Sequence, residues 1–224
     1  MKIKIKTFNQ PGTYHKSLGM ESEDYNKVIV NGDYVYSILS DGFGSTGVGR
    51  VAAETTVEAT AEFCFKNGEK FFTENSRQVA EELIRFIQNQ IIDCAQENKF
   101  NPKNLKATFA LICIDLKSKQ YITINIGDAL IMKSIGAKFS IIAFPDNGED
   151  KNSTFSVNSP DVLSHLKIFN DQTKMHESFF IFSDGFFEEC ITRTEYINKL
   201  KFLTTNYFET IDSSDDASYN IIEL

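Results

Sequence analysis

Short runs of apolar and polar residues follow one another along the chain, and the period of each run predicts the element that it forms. Residues 2–8 begin by alternating lysine with isoleucine, which is typical of an edge strand with one solvated face. Residues 27–40 end in a dense β-branched and aromatic run and predict a second strand. An antiparallel meander is predicted from four short apolar runs separated by turn residues, at 107–116, 121–125, 130–133 and 138–143.

Helical spacing of apolar residues replaces this alternation over Arg50–Lys66 and Val79–Ala95, and a further helix is predicted over Thr194–Thr204. Strands are predicted over residues 178–183 and at the end of the chain. The stretch Pro145–Ser159 has loop composition and is interpreted as a surface excursion, with a flap as the alternative. Strands outnumber helices, so the predicted class is α+β with helices covering sheets. Without a linker or repeat, residues 1–224 are expected to form a single domain.

Composition narrows the class of partner and the compartment. The formal net charge is −8 and no basic stripe is present, so the sequence does not indicate a nucleic-acid partner. The four cysteines lack Cys-x-x-Cys spacing and are interpreted as buried free thiols. No apolar run is long enough for a membrane span, and the start does not resemble a signal peptide. We therefore expect a cytoplasmic protein.

The sequence Ser-Asp-Gly-Phe occurs twice, at residues 40–43 and 183–186, and each copy follows an apolar run that predicts a buried strand. An isolated Asp-Gly is usually a hairpin turn, but here neither copy is followed by a second strand. Asp41, Asp184 and Asp215 each stand between an apolar strand and a turn. Carboxylates are the ligands that hard divalent cations prefer, so the sequence predicts a cation site at one rim of a sheet.

Other kinds of site fit the sequence less well. Residues 44–49 are rich in glycine before a helix, but they lack the Lys-Ser or Lys-Thr of a nucleotide-binding P-loop. No run of alternating oxygen ligands suggests a calcium-binding domain of the EF-hand type. The cysteines show no signature of a nucleophile, and His15, His165 and His176 show no metal or triad spacing, so surface or packing roles are assigned to the histidines.

Five short motifs, in order, resemble those of the metal-dependent, type 2C protein phosphatases. The glycine loop followed by a helix most resembles the bacterial sporulation stage II E branch, and the compact size resembles its small stand-alone members. The motifs are Glu23-Asp24, Ser40-Asp41-Gly42-Phe43-Gly44-Ser45, Asn125-Ile126-Gly127-Asp128-Ala129, Phe182-Ser183-Asp184-Gly185 and Asp215-Asp216-Ala217-Ser218.

This resemblance implies a β-sandwich of two antiparallel sheets flanked by helices, in four α-β-β-α layers. It also implies hydrolysis of phosphoserine or phosphothreonine in proteins with two divalent cations, Mn²⁺ or Mg²⁺. By the same resemblance Asp41, Asp184 and Asp215 are the catalytic acids: Asp41 would bridge both ions, and Asp184 and Asp215 would complete the shell of the first. Gly42 would donate its carbonyl, and Asp24 would hold metal-bound water.

Three further positions follow from the comparison with the family pattern. Asp128 matches a residue that, with Asp184, serves a third metal in some relatives. Phe43 stands where many relatives carry a proton-donating histidine, and Gly19 stands where many carry a phosphate-binding arginine. Lys16 and Arg50 are the candidates for the missing phosphate contact.

The resemblance implies a phosphorylated protein as the partner, with an anti-sigma antagonist-type protein as one candidate, and no nucleic acid or membrane. The alternative function is a catalytically weak or silent phosphatase-like domain that acts as a phosphoprotein-binding or scaffold module. Retained acids at positions 41, 184 and 215 argue against this alternative, because a binding module would not need carboxylates that repel one another.

Overall fold

The computed structural model describes residues 3–43, 47–146, 154–190 and 213–224. These residues form two five-stranded antiparallel sheets, which we name sheet I and sheet II, and one two-stranded pair. Sheet I has the order β1 (Lys4–Gln10), β12 (Ala217–Glu223), β11 (Glu177–Phe182), β8 (Leu130–Ile135) and β9 (Lys138–Ala143). Sheet II has the order β10 (Lys167–Gln172), β7 (Gln120–Ile126), β6 (Phe109–Asp115), β3 (Tyr34–Ser40) and β2 (Tyr25–Asn31). The pair is β4 (Gly42–Phe43) with β5 (Lys106–Ala107).

The two sheets pack face to face and enclose an apolar core between them. Its side chains alternate along the strands of both sheets, as the period of two in a strand requires. Tyr121 of β7 meets Phe179 of β11 edge to face with ring centroids 4.7 Å apart, so this aromatic pair joins one sheet to the other. Other members of this core are Val35, Leu39, Ala110, Ile112, Ile114, Ile131, Ile181 and Ile222.

Helices cover the outer face of sheet II. The helices of the described residues are α1 (Thr13–Ser17), α2 (Gly49–Asn67), α3 (Lys70–Thr73), α4 (Ser76–Asn98) and α5 (Asp184–Cys190), with 3₁₀ turns at Pro102–Asn104 and Val162–Ser164. The helices predicted over 50–66 and 79–95 are confirmed as α2 and α4. Asn75 caps α4 by accepting hydrogen bonds from the backbone N–H groups of Arg77 and Gln78. α2 packs on β2 and β3, and α4 packs on α2.

The outer face of sheet I carries an aromatic cluster. Phe182, Phe186 and Tyr219 form its centre, and Phe182 stacks on Phe186 with ring centroids 5.0 Å apart. Phe186 belongs to α5, so this helix packs on the outer face of sheet I. The helix predicted over Thr194–Thr204 lies outside the described residues, as does the centre of the loop predicted over Pro145–Ser159. The α+β class and the sandwich of two antiparallel sheets are confirmed.

One strand prediction was wrong in its extent. The single strand predicted over residues 27–40 is a hairpin, in which β2 and β3 pair from Tyr25 opposite Ser40 to Asn31 opposite Tyr34. The turn between them is Gly32-Asp33, and Gly32 has a φ of +60°, which glycine adopts without steric cost. Asn31-Gly32 is itself a turn signal that the apolar flanks obscured. The short helix α1 and the edge strand β10 were not predicted.

The predicted antiparallel meander was also wrong as one continuous sheet. Its four strands are β6, β7, β8 and β9, but β6 and β7 pair in sheet II whereas β8 and β9 pair in sheet I. The chain passes from one sheet to the other between β7 and β8, and the alternation within a strand gives no signal for such a crossing.

The prediction of buried free thiols is confirmed for two of the four cysteines. Cys64 and Cys113 are buried and free, and burial raises the pKa of both thiols. Cys94 is free but only partly buried, because it lies near the exposed end of α4, and the side chain of Cys190 is outside the described part of the chain. Within the described residues, none of the helices combines the length and the apolarity that crossing a bilayer requires.

Candidate metal centre

Asp41 follows β3 and is held in place by Thr108, the residue before β6. The Asp41 N–H donates to Thr108 Oγ1 at 3.0 Å, and the Thr108 N–H donates to the Asp41 carbonyl at 2.8 Å. The Ser40 hydroxyl donates to the Thr108 carbonyl at 2.6 Å. Three hydrogen bonds therefore fix the backbone around Asp41, so its carboxyl group leaves the end of sheet II in a defined direction.

Asp184 follows β11 and is fixed to the neighbouring strand β12 in a comparable way. The Ser183 N–H donates to the Ser218 carbonyl at 3.0 Å, and the Ser218 N–H donates to Ser183 Oγ at 2.9 Å. Asp184 Oδ1 accepts a hydrogen bond from the Gly185 N–H at 2.7 Å. The two Ser-Asp-Gly-Phe copies thus end strands that belong to different sheets, and their aspartates meet at one end of the sandwich.

Both glycines of the repeated motif are required by close backbone contacts. A Cβ at Gly42 would lie 1.9 Å from the Gly49 carbonyl oxygen at the start of α2. A Cβ at Gly185 would lie 2.1 Å from the Asp216 carbonyl oxygen. The glycines therefore let each aspartate-bearing turn touch the backbone of another segment. The predicted donation of the Gly42 carbonyl to a metal stays a prediction.

The five predicted acids are near enough to affect one another's ionisation. Burial raises the pKa of Asp41 well above its usual value, and repulsion from the other four adds to this rise. Burial also raises the pKa of Asp184 well above its usual value, with repulsion from three of them. These mutual effects place Asp24, Asp41, Asp128, Asp184 and Asp215 around one region.

Asp24 is the most completely enclosed of these acids, with no exposed surface. Burial raises its pKa to about 7, although the nearby hydroxyls of Ser218 and Ser183 lower it in part. Among the described residues, neither carboxylate oxygen of Asp24 accepts a well-formed hydrogen bond. A buried carboxylate without such partners is costly unless a cation compensates it.

Exposure differs among the other acids. Asp128 is buried, Asp41 and Asp184 are partly exposed, and Asp215 is exposed. The cluster therefore opens to solvent on the side of Asp215, where a ligand could enter.

The residues present fit a divalent cation by the chemistry of their donors. They supply several carboxylates, at least one buried carboxyl group without a well-formed hydrogen bond, and mutual repulsion that bound positive charge would relieve. No group of three His, Cys, Asp or Glu side chains in the described part of the chain already stands at coordinating distances from a common point.

Arg50 and Asp24 are joined through the backbone. Arg50 Nη1 donates to the carbonyl oxygens of Ser22 at 3.0 Å and Asp24 at 2.6 Å, and the guanidinium lies 4.6 Å from the centre of the Tyr25 ring. Arg50 also lines a cavity of about 480 Å³ beside this segment. Its predicted contact with phosphate stays a prediction, as does that of Lys16.

Several supporting residues could not be identified from the sequence. Thr108 belongs to no motif that the sequence offered, and His15 has an ion pair with Asp216 where a surface or packing role was expected. In the sequence, Asp216 is recognisable only as the second acid of Asp215-Asp216, with no indication of its partners. These residues act through contacts between distant parts of the chain, for which local spacing gives no signal.

Comparison with known proteins gives the family. Residues 11–218 match the model of protein phosphatase 2C. The chain belongs to the protein phosphatase 2C family. This match covers most of the chain and confirms the predicted resemblance. It also confirms the predicted function at the level of the family. Members of this family are metal-dependent phosphoprotein phosphatases that act on phosphoserine and phosphothreonine. A search of curated proteins finds no significant match.

Solved structures of protein phosphatases share the fold. The Streptococcus agalactiae serine/threonine phosphatase has 15% identity, and 99% of each chain is covered with a TM-score of 0.75. A bacterial serine phosphatase also has 15% identity, with 99% of this chain and 98% of the other covered and a TM-score of 0.74. RsbX in complex with magnesium has 15% identity, coverage of 99% and 95%, and a TM-score of 0.62.

Proposed function

We propose that this protein phosphatase 2C removes phosphate from serine or threonine of a protein at the cluster formed by Asp24, Asp41, Asp128, Asp184 and Asp215. The observation that carries the proposal is geometric: hydrogen bonds to Thr108 and Ser218 hold two strand-end aspartates of different sheets at one end of the sandwich. Burial and mutual repulsion raise the pKa of Asp41 and Asp184, which supports the proposal, because a bound cation would relieve that repulsion. RsbX, which shares this fold, was solved in complex with magnesium, which supports a divalent cation here as well.

Asp41, Asp184 and Asp215 would hold two divalent cations, Mn²⁺ or Mg²⁺, with the Gly42 carbonyl, and Asp128 would serve a third. Bound cations of this kind activate water for attack and neutralise the phosphoryl oxygens. The hydrogen bonds to Thr108 and Ser218 keep the first two carboxylates in position. Asp24 Oδ1 or Oδ2 would accept a hydrogen bond from the attacking water. Phe43 offers no proton, so protonation of the leaving oxygen would fall to water held by the cations.

Single substitutions of the two strand-end aspartates test this proposal. Asp41→Asn and Asp184→Asn should each reduce Mn²⁺-dependent hydrolysis of an aryl phosphate at least about 100-fold, because each removes an anionic oxygen ligand. Asp33→Asn is the matched control, since Asp33 is exposed at the opposite end of β3. Its activity should equal that of the wild type.

The opposite result would support a different role for the same fold. A wild-type protein that shows no turnover with Mn²⁺ or Mg²⁺, yet binds a phosphoprotein tightly, would overturn the proposal in favour of a scaffold module. Calorimetric binding of calcium tighter than of manganese, without hydrolysis, would overturn it in favour of a calcium-binding domain.

The proposed substrate is a cytoplasmic phosphoprotein of the anti-sigma antagonist type. One similar solved structure, with 12% identity and a TM-score of 0.64, is described in connection with the bacterial stressosome and secondary messenger signalling. Phosphorylated antagonist protein from the same genome should lose its phosphoserine on incubation with this protein and Mn²⁺, as followed by intact mass. Retention of the phosphate while an aryl phosphate is hydrolysed would exclude this substrate class.

A further inference from the structure

Asp216 lies beside Asp215 but turns to a different set of partners. It is 4% exposed, and its Oδ1 accepts a hydrogen bond from the Gly12 N–H at 2.7 Å. Its Oδ2 accepts a hydrogen bond from the Glu23 N–H. Nδ1 of His15 lies 2.8 Å from Oδ1 and 2.9 Å from Oδ2. Both carboxylate oxygens are therefore occupied by donors of the segment that precedes Asp24.

Glu23 continues this network toward Asp41. Its carbonyl accepts a hydrogen bond from the Gly42 N–H at 3.3 Å. Its carboxyl group accepts a hydrogen bond from the Gly49 N–H, which acts against the rise that burial causes in the pKa of Glu23. Residue 23 thus joins the start of α2 to the residue that follows Asp41.

Three acids of the proposed metal centre each have a sequence neighbour in this network. Asp216 follows Asp215, Glu23 precedes Asp24, and Gly42 follows Asp41. These segments come from distant parts of the chain. Because hydrogen bonds of a charged carboxylate to backbone N–H groups are short and directional, they fix the relative position of the segments more firmly than apolar packing does.

His15 is the side-chain partner of Asp216, and the two form an ion pair when the imidazole is protonated. The pair is largely enclosed, with side-chain exposures of 16% for His15 and 4% for Asp216. Gly12, His15 and Glu23 together contact both oxygens of the carboxylate. The oxygens of Asp216 are therefore engaged by protein groups rather than left open to an ion.

We propose that Asp216 is a positioning residue that binds no cation and instead fixes Asp215, Asp24 and Asp41 relative to one another through Gly12, His15 and Glu23. This inference rests on the proposed function, since it assumes that those three acids belong to the metal centre, Asp41 and Asp215 as ligands and Asp24 as the acceptor of bound water. Loss of the carboxylate leaves two buried N–H groups and an imidazole without their acceptor, so the ligand segments can separate. Substitutions of outer groups that orient ligands typically reduce metal affinity about 10- to 100-fold.

The test is calorimetric titration of Mn²⁺ into metal-free protein, with thermal unfolding measured on the same samples. Asp216→Ala should weaken Mn²⁺ binding about 10-fold or more in protein that remains folded. Asp216→Asn keeps one acceptor oxygen and should weaken binding by less, which provides a second variant if the alanine variant does not fold.

Glu177 provides a matched control at the far end of the sandwich. It is fully buried, lies 3.2 Å from the Lys133 ammonium, and accepts a hydrogen bond from the Lys174 N–H at 2.8 Å. It occupies the first position of β11, whereas Asp184 follows the other end of that strand. Glu177→Ala should lower the Tm as Asp216→Ala does, because each removes a buried paired carboxylate, but it should leave Mn²⁺ affinity unchanged.

The outcomes separate the two proposals. Weaker Mn²⁺ binding in the Asp216 variants alone supports the positioning role. Equal Mn²⁺ binding by folded Asp216→Ala and by the wild type overturns it. An equal loss of Mn²⁺ affinity in Glu177→Ala also overturns it, because general destabilisation would then explain the effect. If the wild type itself binds no Mn²⁺ and hydrolyses no aryl phosphate, the proposed function fails instead.

Discussion

A carboxyl group that is buried among other carboxyl groups holds its proton more tightly than one in water. Asp24, Asp41 and Asp184 all show this effect, and burial is the larger cause for each. A residue that is unfavourable as an anion persists in a fold only where something compensates it. The proposed metal centre therefore depends on the burial and the charged neighbours of each aspartate as well as on its carboxyl group.

The raised pKa values predict how stability depends on pH. A carboxyl group whose pKa is higher in the folded than in the unfolded protein stabilises the fold fully below the unfolded pKa, and this contribution is lost as pH rises through the folded pKa. For Asp24 the window runs from the usual 3.8 to about 7. The free energy of unfolding of metal-free protein should therefore contain a component that falls across this range.

Thermal unfolding between about pH 5 and pH 8, with EDTA or with Mn²⁺, measures this component. We expect Mn²⁺ to raise the Tm more at the higher pH, because protons compete with the ion at lower pH. Asp24→Asn should flatten the pH dependence of the metal-free protein. An unchanged slope in that variant would contradict the assignment to Asp24.

The acids themselves could be predicted from the sequence because each stands in a short motif at a strand end. Thr108, His15 and the role of Asp216 could not. Their partners lie far away along the chain, as Asp216 and Glu23 do, and only the folded arrangement brings them together. The motifs therefore identified acids that the fold brings near one another, but not the groups that hold them, and the role of these acids as metal ligands stays a prediction.

At the scale of elements, the approach of α2 to the β3–β4 corner determines the shape of the site. Gly42 and Gly49 touch through their backbones, and a Cβ at Gly49 would lie 2.6 Å from the Gly42 carbonyl oxygen and 2.7 Å from Glu23 Oε2. There is no room for a side chain between the helix and the turn. The start of α2 and the turn that follows Asp41 therefore form one packed unit.

Gly42→Ala should force this unit apart. We expect a loss of about 1–3 kcal/mol in the free energy of unfolding from overpacking, together with at least about a 10-fold loss of Mn²⁺-dependent hydrolysis. Chemical denaturation and an aryl phosphate assay measure the two effects.

Gly136→Ala is the comparison for this substitution. Gly136 has a φ of +57° in the β8–β9 turn and nothing within 4 Å of an added Cβ. It should cost about 1–2 kcal/mol through backbone strain and leave hydrolysis unchanged. Equal activity of both variants would show that the α2 contact is not needed for the site.

The long helices could be predicted because their apolar periods are strong and their lengths are typical. The four strands of the predicted meander lie where the apolar runs are, but local spacing could not show that β7 and β8 belong to different sheets. The β2–β3 hairpin was missed because apolar residues on both sides of Asn31-Gly32 gave one continuous run. Strand β10 has a polar, exposed pattern and gives little periodic signal, since it lies at the edge of sheet II. Strands with a clear alternation were predictable, including the edge strand β1, whereas a turn inside an apolar run and a polar edge strand were not.

At the scale of the whole molecule, both sheets contribute to one site. Asp41 follows a strand of sheet II and Asp184 follows a strand of sheet I, and the core that includes Tyr121 and Phe179 joins the sheets. Separation of the sheets would therefore destroy the site and expose the core in the same event. This arrangement supports our expectation that residues 1–224 behave as a single domain.

Unfolding should accordingly be one cooperative transition. The chain has eight tyrosines and no tryptophan, so tyrosine fluorescence can be compared with far-ultraviolet circular dichroism in a denaturant series. The two transitions should coincide, as two-state behaviour requires. Two separated transitions would indicate that one part of the chain unfolds independently.

Strand β12 lies between β1 and β11, and the two residues immediately before it are Asp215 and Asp216. A growing chain on the ribosome that has not yet produced residues 213–223 lacks the proposed ligand Asp215. It also lacks Ser218, which pairs with Ser183, and Asp216, which accepts the hydrogen bond of the Glu23 N–H. Domains generally fold as units during synthesis. The capacity to dephosphorylate should therefore arise in a single step with the insertion of this strand, so that partly synthesised chains leave the phosphorylated pool untouched.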